Sequence, residues 1–245
     1  MERGGTSERE RSSRRVALLD WDGSLHRGLT LRSWTHHLHE RELLPDDIAG
    51  AMEERFSAYE EGDLPYRRLA KETPELYARG LEGVGQEELR AHARSYVDGD
   101  RRNVFPFARA LLESLVERGI ETVVISGSPV ETLSLHKQLL PIDRHWGIVV
   151  AVRDGRFTGD LELNPAEQAA KERIVSAAAE GARVALAIGD SEADLPMLDL
   201  AEARIVVDND ALLPDDQATL HLAPEATDDG GLAALRAFVA GALDD

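Results

Sequence analysis

Apolar residues in this chain recur in short, unbroken runs that predict buried β-strands. The runs are Val16 to Leu19, Thr122 to Ile125, Val184 to Ile188 and Arg204 to Val207. A run that is apolar at nearly every position, rather than at alternate ones, is typical of a strand buried on both faces. The segments between the runs carry apolar residues at helical spacing instead. One such face consists of Phe107, Leu111, Leu115 and Val116, and Gly119 follows it as a typical end of a helix.

Strands and helices that alternate in this order predict an α/β fold with a parallel sheet covered on both sides. Two intervals break the alternation. Residues 31–99 have helical spacing only, and there Thr73 followed by Pro74 suggests the N-cap and first residue of a helix. Between Val149 and Leu163, apolar residues flank Asp154-Gly155, a pair that favours a tight hairpin turn.

Composition narrows the classes of function. The 245 residues are 42% hydrophobic, and 28 basic against 46 acidic residues leave a net charge of −18, which disfavours nucleic acids and anionic membranes as partners. Residues 1–15 are polar and charged throughout and are expected to form a disordered tail. The chain has no cysteine, no long apolar run and no apolar leader, so we expect a protein of the cytoplasm.

Polar groups that directly follow predicted strands are the candidate functional residues, because the carboxyl ends of parallel strands meet at one edge of a sheet. Asp20 follows the first strand and begins Asp20-Trp21-Asp22-Gly23-Ser24. Two carboxylates at this spacing suit a nucleophile and a proton donor that act on one phosphate. Asp-rich turns after strands are also common as purely structural features, so the motif alone leaves both interpretations open.

Three further elements support phosphate chemistry. Ser126 and Gly127 follow the second strand and offer a hydroxyl and backbone amides to a phosphate oxygen, although a simple turn has the same composition. Asp190 and Asp194, four residues apart at a strand end, can face one cation site, or can form an acidic helix start. Lys171 is one of only three lysines among 28 basic residues, and a compact ammonium suits a crowded phosphate site.

These four elements together resemble the haloacid dehalogenase superfamily, in particular its phosphoserine-phosphatase-like branch, over about residues 16–210. The resemblance implies a Rossmann-like, three-layer core formed by residues 16–30 and 100–245. It also implies a small helical cap, residues 31–99, inserted after the first strand. By match to the family's motifs, Asp20 would attack phosphorus, and Asp22 would protonate the leaving group and later activate water.

The same resemblance implies the binding groups. Mg²⁺ would be held by the side chains of Asp20 and Asp190 and by the backbone carbonyl of Asp22. Ser126, with the adjacent Gly127, and Lys171 would bind the phosphoryl group. Asp194 would orient the lysine.

The expected function is a magnesium-dependent phosphomonoesterase that acts on a small phosphorylated metabolite through a phospho-aspartate. Two alternatives remain, a phosphotransferase with the same intermediate and a noncatalytic regulatory protein on this fold. The presence of Asp22 argues against the metal-free dehalogenases of the superfamily. Oligomeric state cannot be predicted from the sequence.

Two departures from the family's pattern bear on the substrate. Phosphoserine phosphatases carry a glutamate nine residues after the nucleophile, where this chain has Leu29, and an asparagine before the final aspartate, where it has Ala193. Phosphoserine is therefore not the expected substrate. The candidate contacts for an anionic or hydroxylated leaving group, each of which is otherwise a surface residue, are Arg27, Arg32, Arg55 and Tyr59.

Overall fold

A sheet of seven strands forms the centre of the part of the protein described by the computed structural model, residues 14–224 and 229–244. The strand order is β4-β3-β2-β1-β5-β6-β7, and neighbouring strands are parallel except β3 and β4. The strands are β1 Arg15–Leu19, β2 Ile120–Pro129, β3 Arg144–Arg153, β4 Arg156–Leu163, β5 Arg183–Gly189, β6 Ala203–Val207 and β7 Thr219–Leu222. The predicted α/β fold class is confirmed.

Helices cover the sheet and fill the interval between β1 and β2. The α-helices are α1 Thr30–His39, α2 Asp46–Glu60, α3 Tyr66–Gly80, α4 Gln86–Asp100, α5 Pro106–Glu117, α6 Val130–Leu139, α7 Gln168–Ala179, α8 Leu195–Leu198 and α9 Asp229–Leu243. Short 3₁₀ turns occupy Arg101–Asn103 and Glu192–Asp194. In the described residues, no helix is both long and apolar enough to cross a membrane.

The central strand explains the unbroken apolar runs. Successive side chains of a strand point to opposite faces. Val16 and Leu18 pack into the apolar core on one face of the sheet, whereas Ala17 and Leu19 pack into the core on the other, and all four are fully buried. A strand between two cores has no solvent-facing position for a polar residue.

The four helices after β1 have an apolar core of their own. Trp34, Phe56 and Tyr77 lie in it, and the indole N–H of Trp34 donates to the Tyr77 hydroxyl at 2.9 Å. The β3–β4 hairpin supplies the other side of this core through residues such as Phe157. The hairpin turns at Asp154-Gly155, as predicted, with φ values of 52° and 76° that suit a type I′ turn.

The predicted helix start at Thr73-Pro74 is wrong, because Pro74 lies inside α3. Proline has no N–H for the carbonyl four residues earlier, which here belongs to Ala70. The side-chain amide of Asn164, from the loop before α7, donates to that carbonyl at 2.9 Å. A tertiary contact therefore satisfies the group that the proline leaves unpaired, and the helix continues.

Other details also differ from the sequence-based expectations. Residues 1–13 of the expected tail lie outside the described residues, but Arg15 already belongs to β1. Val116, expected on the buried face of its helix, is 45% exposed. Strand β7 and helix α9 were not predicted, although the apolar residues of α9, such as Leu235, Val239 and Leu243, pack into the core.

A buried polar cluster fixes the junction between the inserted helices and the sheet. Asp100, the last residue of α4, accepts hydrogen bonds at Oδ2 from Nε2 of His26 at 2.9 Å and of His136 at 3.1 Å. Its Oδ1 accepts the amide of Asn103 at 2.9 Å. The ring of Trp21 stacks on His26 with the centroids 5.3 Å apart. Segments before and after the inserted helices are thus joined at one carboxylate.

This junction makes stability depend on pH. Burial alone would raise the pKa of Asp100, but the hydrogen bonds from His136, His26 and Asn103 outweigh it and hold the pKa well below its usual range. A carboxylate whose pKa is depressed in the folded state stabilises the fold above its unfolded pKa of about 4. That contribution is lost as the pH falls from about 4 toward the lower pKa that Asp100 has in the folded protein.

We predict that Asp100→Asn lowers the free energy of unfolding by about 1.5–3 kcal/mol at pH 7, because charge-assisted hydrogen bonds are lost. Urea unfolding of both proteins between pH 7 and 3 should show the difference shrinking below about pH 4. Asp98→Asn, at an exposed position of the same helix, is the matched control. A difference that stays constant with pH would contradict this assignment.

Candidate active site

The carboxyl ends of three adjacent strands bring the predicted site residues to one place. Leu19 pairs with Val124 of β2 and with Ile188 of β5, so Asp20 emerges between these two neighbouring strands. A cavity of about 100 Å³ opens at this edge below helices α2 and α3. The residues predicted to act in catalysis, in phosphate binding or in metal binding all line it, namely Asp20, Asp22, Ser126, Gly127, Lys171, Asp190 and Asp194. Their roles stay predictions.

Lys171 links two of the carboxylates. It lies in the first turn of α7 and is only 4% exposed. Its Nζ lies 2.5 Å from Oδ1 of Asp194 and 3.3 Å from Oδ1 of Asp20. Burial would lower the pKa of Lys171, but the charges of Asp194 and Asp20 outweigh it and raise the pKa. The side chain therefore remains an ammonium ion.

Asp194 is held rigidly by its own turn. Its Oδ2 accepts the backbone N–H groups of Asp190 and Ser191 and the hydroxyl of Ser191, each at 3.1 Å. Together with Lys171 these contacts engage both oxygens. The side chain of Asp194 can pack this closely against the end of β5 only because residue 189 is a glycine. A Cβ at Gly189 would lie 2.4 Å from the Cβ of Asp194.

The carboxyl groups of Asp20 and Asp190 line the cavity, and the protein raises the pKa of both. Burial, followed by the charge of Asp194, raises the pKa of Asp20 well above its usual value despite the opposing Lys171. Burial and then Asp194 raise the pKa of Asp190 to about 7. Gly23, at φ +84°, lies so close that a Cβ there would meet Oδ2 of Asp190 at 2.2 Å. Glycine is therefore required in the turn after the nucleophile candidate.

The donor set fits a hard divalent cation. Asp20, Asp190 and Asp194 each offer one oxygen, and these oxygens lie within 4.8 Å of one another. Carboxylate oxygens are preferred ligands of Mg²⁺. Because the contacts of Asp194 are already made, Asp20 and Asp190 are the carboxylates best placed to bind it. The contribution of the Asp22 backbone carbonyl stays a prediction.

The side chain of Asp22 has a separate set of partners. Its Oδ1 accepts the backbone N–H of Thr30 at 3.0 Å and the Thr30 hydroxyl, and its Oδ2 accepts the Ser128 hydroxyl at 2.9 Å. Burial raises the pKa of Asp22 by more than His26 and these hydrogen bonds lower it. The protonated form of Asp22 is therefore more favoured in the protein than it would be in water.

Ser126 and Gly127 form the wall beside Asp22. The hydroxyl oxygen of Ser126 accepts the N–H of Ser128 at 3.0 Å, and its own proton remains a donor. A Cβ at Gly127 would lie 2.9 Å from that of Ala166, so a side chain at 127 would push this loop away. The glycine at position 127 therefore lets this turn pack closely against the loop that contains Ala166.

Sequence reasoning missed several residues of the site. Thr30 and Ser128 hold Asp22 through their hydroxyl groups and through the backbone N–H of Thr30. Ser128 stands two positions after Ser126, on the same face of an extended segment, which was the available signal. Nothing local marked Thr30, because its partner lies in a preceding turn.

Most of the four side chains predicted to contact the leaving group do not line the cavity. Of the four, only Tyr59 lines the cavity. Arg32 pairs with Glu53 and Glu60. Arg55 pairs with Glu72 at 2.9 Å, and the guanidinium of Arg27 lies 5.5 Å from the ring centroid of Phe105.

Known proteins with similar sequences include two phosphoserine phosphatases. The protein from Streptomyces coelicolor is 26% identical over 195 residues, which cover 78% of this chain and 43% of that protein. The protein from Wolinella succinogenes is 25% identical over 198 residues, covering 78% and 86% of the two chains. This chain thus spans less than half the length of the first relative and most of the second.

Solved structures and a family model complete the comparison. A phosphoserine phosphatase solved as a phospho-aspartyl intermediate analogue superposes with a TM-score of 0.57 at 21% identity, covering 80% of this chain and 87% of that chain. At this identity the likeness concerns the fold. The model of the haloacid dehalogenase-like hydrolases matches residues 17–199. Matching most of the chain, it establishes that this protein belongs to the haloacid dehalogenase-like hydrolase family.

Proposed function

We propose that the protein is a magnesium-dependent phosphomonoesterase in which Asp20 is the covalent nucleophile. The observation that carries the proposal is the buried Asp20–Lys171–Asp194 contact with Asp190 and Asp22 in the same cavity. The two relatives named as phosphoserine phosphatases support phosphate-ester chemistry. A small phosphorylated metabolite is the proposed class of substrate.

The first step forms a bond between a carboxylate oxygen of Asp20 and phosphorus, while the bond from phosphorus to the ester oxygen breaks. The departing alkoxide takes a proton from Asp22, whose raised pKa suits an acid. A bound magnesium ion would supply positive charge near the phosphoryl oxygens. The ammonium of Lys171 and the hydroxyl of Ser126 contribute further donors to the same oxygens.

The second step releases phosphate. The Asp22 carboxylate, now ionised, takes a proton from water as the water oxygen attacks phosphorus. The bond between phosphorus and Asp20 breaks, so inorganic phosphate leaves and Asp22 regains its proton. We treat residues 31–99 as the cap and residues 16–30 and 100–245 as the core, with the cap excluding bulk water from the first step.

We predict that Asp20→Asn abolishes turnover while the fold is kept, because an amide has the shape of a carboxylate but is a far poorer nucleophile. Phosphate release from a panel of monoesters with Mg²⁺ measures the effect. Asp199→Asn, an exposed position close to the last motif, serves as the control that should keep activity. Turnover retained by Asp20→Asn would sink the nucleophile assignment.

We predict that Asp22→Asn lowers kcat for an alkyl phosphate roughly 10²- to 10⁴-fold, the usual contribution of general acid–base catalysis. For p-nitrophenyl phosphate the first step needs little protonation, so its phosphorylation rate, followed as the nitrophenolate burst, should fall much less. Equal losses for both substrates in this step would assign the proton transfer to another group.

We predict that chelation removes activity and that added Mg²⁺, or Mn²⁺ as a substitute, restores it. Asp190→Asn should raise the Mg²⁺ concentration needed for half-maximal activity, because one anionic ligand is lost. Glu192→Gln, an exposed acid beside it, is the matched control. Activity that survives thorough chelation contradicts the metal assignment.

A further inference from the structure

The lining of the cavity has two chemically different parts. Among the described residues that line it, every charged side chain belongs to the site proposed for the phosphoryl group and the metal. The wall contributed by the segment before α1 and by α2 and α3 carries no charged side chain. Its main members are Leu29, Phe56, Tyr59, Tyr66, Leu69 and Pro74.

The polar atoms of that wall are few. The hydroxyl of Thr73 donates to the carbonyl of Leu69 at 2.8 Å and is used within the helix. The rings of Tyr59 and Tyr66 lie 6.0 Å apart and tilted by 59°, so they present a broad aromatic surface. The polar groups that remain on this wall, the tyrosine hydroxyls among them, are uncharged.

The two cap arginines predicted to contact the leaving group do not change this picture. Arg32 is bound by two glutamates and Arg55 by Glu72, and neither lines the cavity. A carboxylate on the leaving group would therefore lack a cation at this wall, and an ammonium would lack an anion. Burying either without a partner is costly.

On the basis of the proposed phosphatase function, we infer that the substrate is the phosphate monoester of an uncharged, mainly apolar alcohol. The leaving group packs against Leu29, Phe56 and Leu69 while the phosphate binds at the sheet edge. Phosphorylated amino acids and other zwitterionic or doubly anionic esters are poor substrates. A missing charged hydrogen bond changes selectivity by roughly 10- to 150-fold.

The test compares kcat/KM for n-propyl phosphate with values for O-phosphoserine, phosphocholine and 3-phosphoglycerate. Propyl phosphate should exceed each by at least tenfold. The alkoxide of serine is a better leaving group than that of propanol, because the substituents of serine withdraw electrons. A faster reaction of propyl phosphate would therefore not be explained by its intrinsic reactivity. A charged ester that equals or exceeds propyl phosphate would overturn the inference.

Binding separates this inference from the proposed function. Calorimetry with the Asp20→Asn variant and Mg²⁺ measures the affinity of the same esters without turnover. Tighter binding of propyl phosphate than of phosphoserine supports the inference, and the reverse order overturns it. If wild-type protein hydrolyses none of the esters, the proposed function fails, while the binding order still decides the chemistry of the wall.

A pair of variants tests one wall residue directly. Leu29→Glu places a carboxylate at the cavity wall, and Leu29→Gln is its uncharged control of equal size. The glutamate should raise kcat/KM for phosphoserine relative to propyl phosphate by at least tenfold over the glutamine variant. Inhibition by inorganic phosphate should be similar in both. Equal substrate ratios in the two variants would show that Leu29 does not face the leaving group.

Discussion

The ammonium of Lys171, buried between Asp20 and Asp194, is the interaction on which the site depends. Carboxylates brought together away from water repel one another, and each is costly to ionise there. One cation of fixed position relieves part of that cost and sets where the two carboxylates lie. The glycines at 23 and 189 follow from the same crowding, because any side chain at either position would occupy the space of an acid.

The sheet delivers these groups from distant parts of the chain. Asp20 and Lys171 are 151 residues apart, yet Asp20 directly follows β1 and Lys171 lies in α7, and apolar packing fixes the positions of both elements. The hydrophobic cores on the two faces hold β1, β2 and β5 side by side, and parallel direction places their ends together. Chemistry at this edge therefore rests on strands whose inner segments, such as Val16 to Leu19 and Val184 to Ile188, are apolar and buried.

The sequence was most informative where the determinants are local. Unbroken apolar runs identify the buried strands, and the residues after them identify the candidate site. Pro74 was misjudged because its tolerance depends on Asn164, 90 residues later, which no local pattern reveals. Arginines such as Arg32 and Arg55 were candidate substrate contacts for a similar reason, since a sequence shows charges but not which glutamates neutralise them.

The hydrogen bond from Asn164 to the carbonyl of Ala70 has a consequence for divergence within the family. The dependence runs in one direction, because Asn164 also accepts the N–H of Ala166 and donates to Glu167, whereas a proline at position 74 leaves the Ala70 carbonyl without its helical donor. Across homologues, a proline at position 74 should therefore occur together with a side-chain donor at position 164. Loss of the asparagine alone would leave a buried carbonyl unpaired in the wall of the cavity, so the proline constrains how the inserted helices evolve relative to the loop before α7.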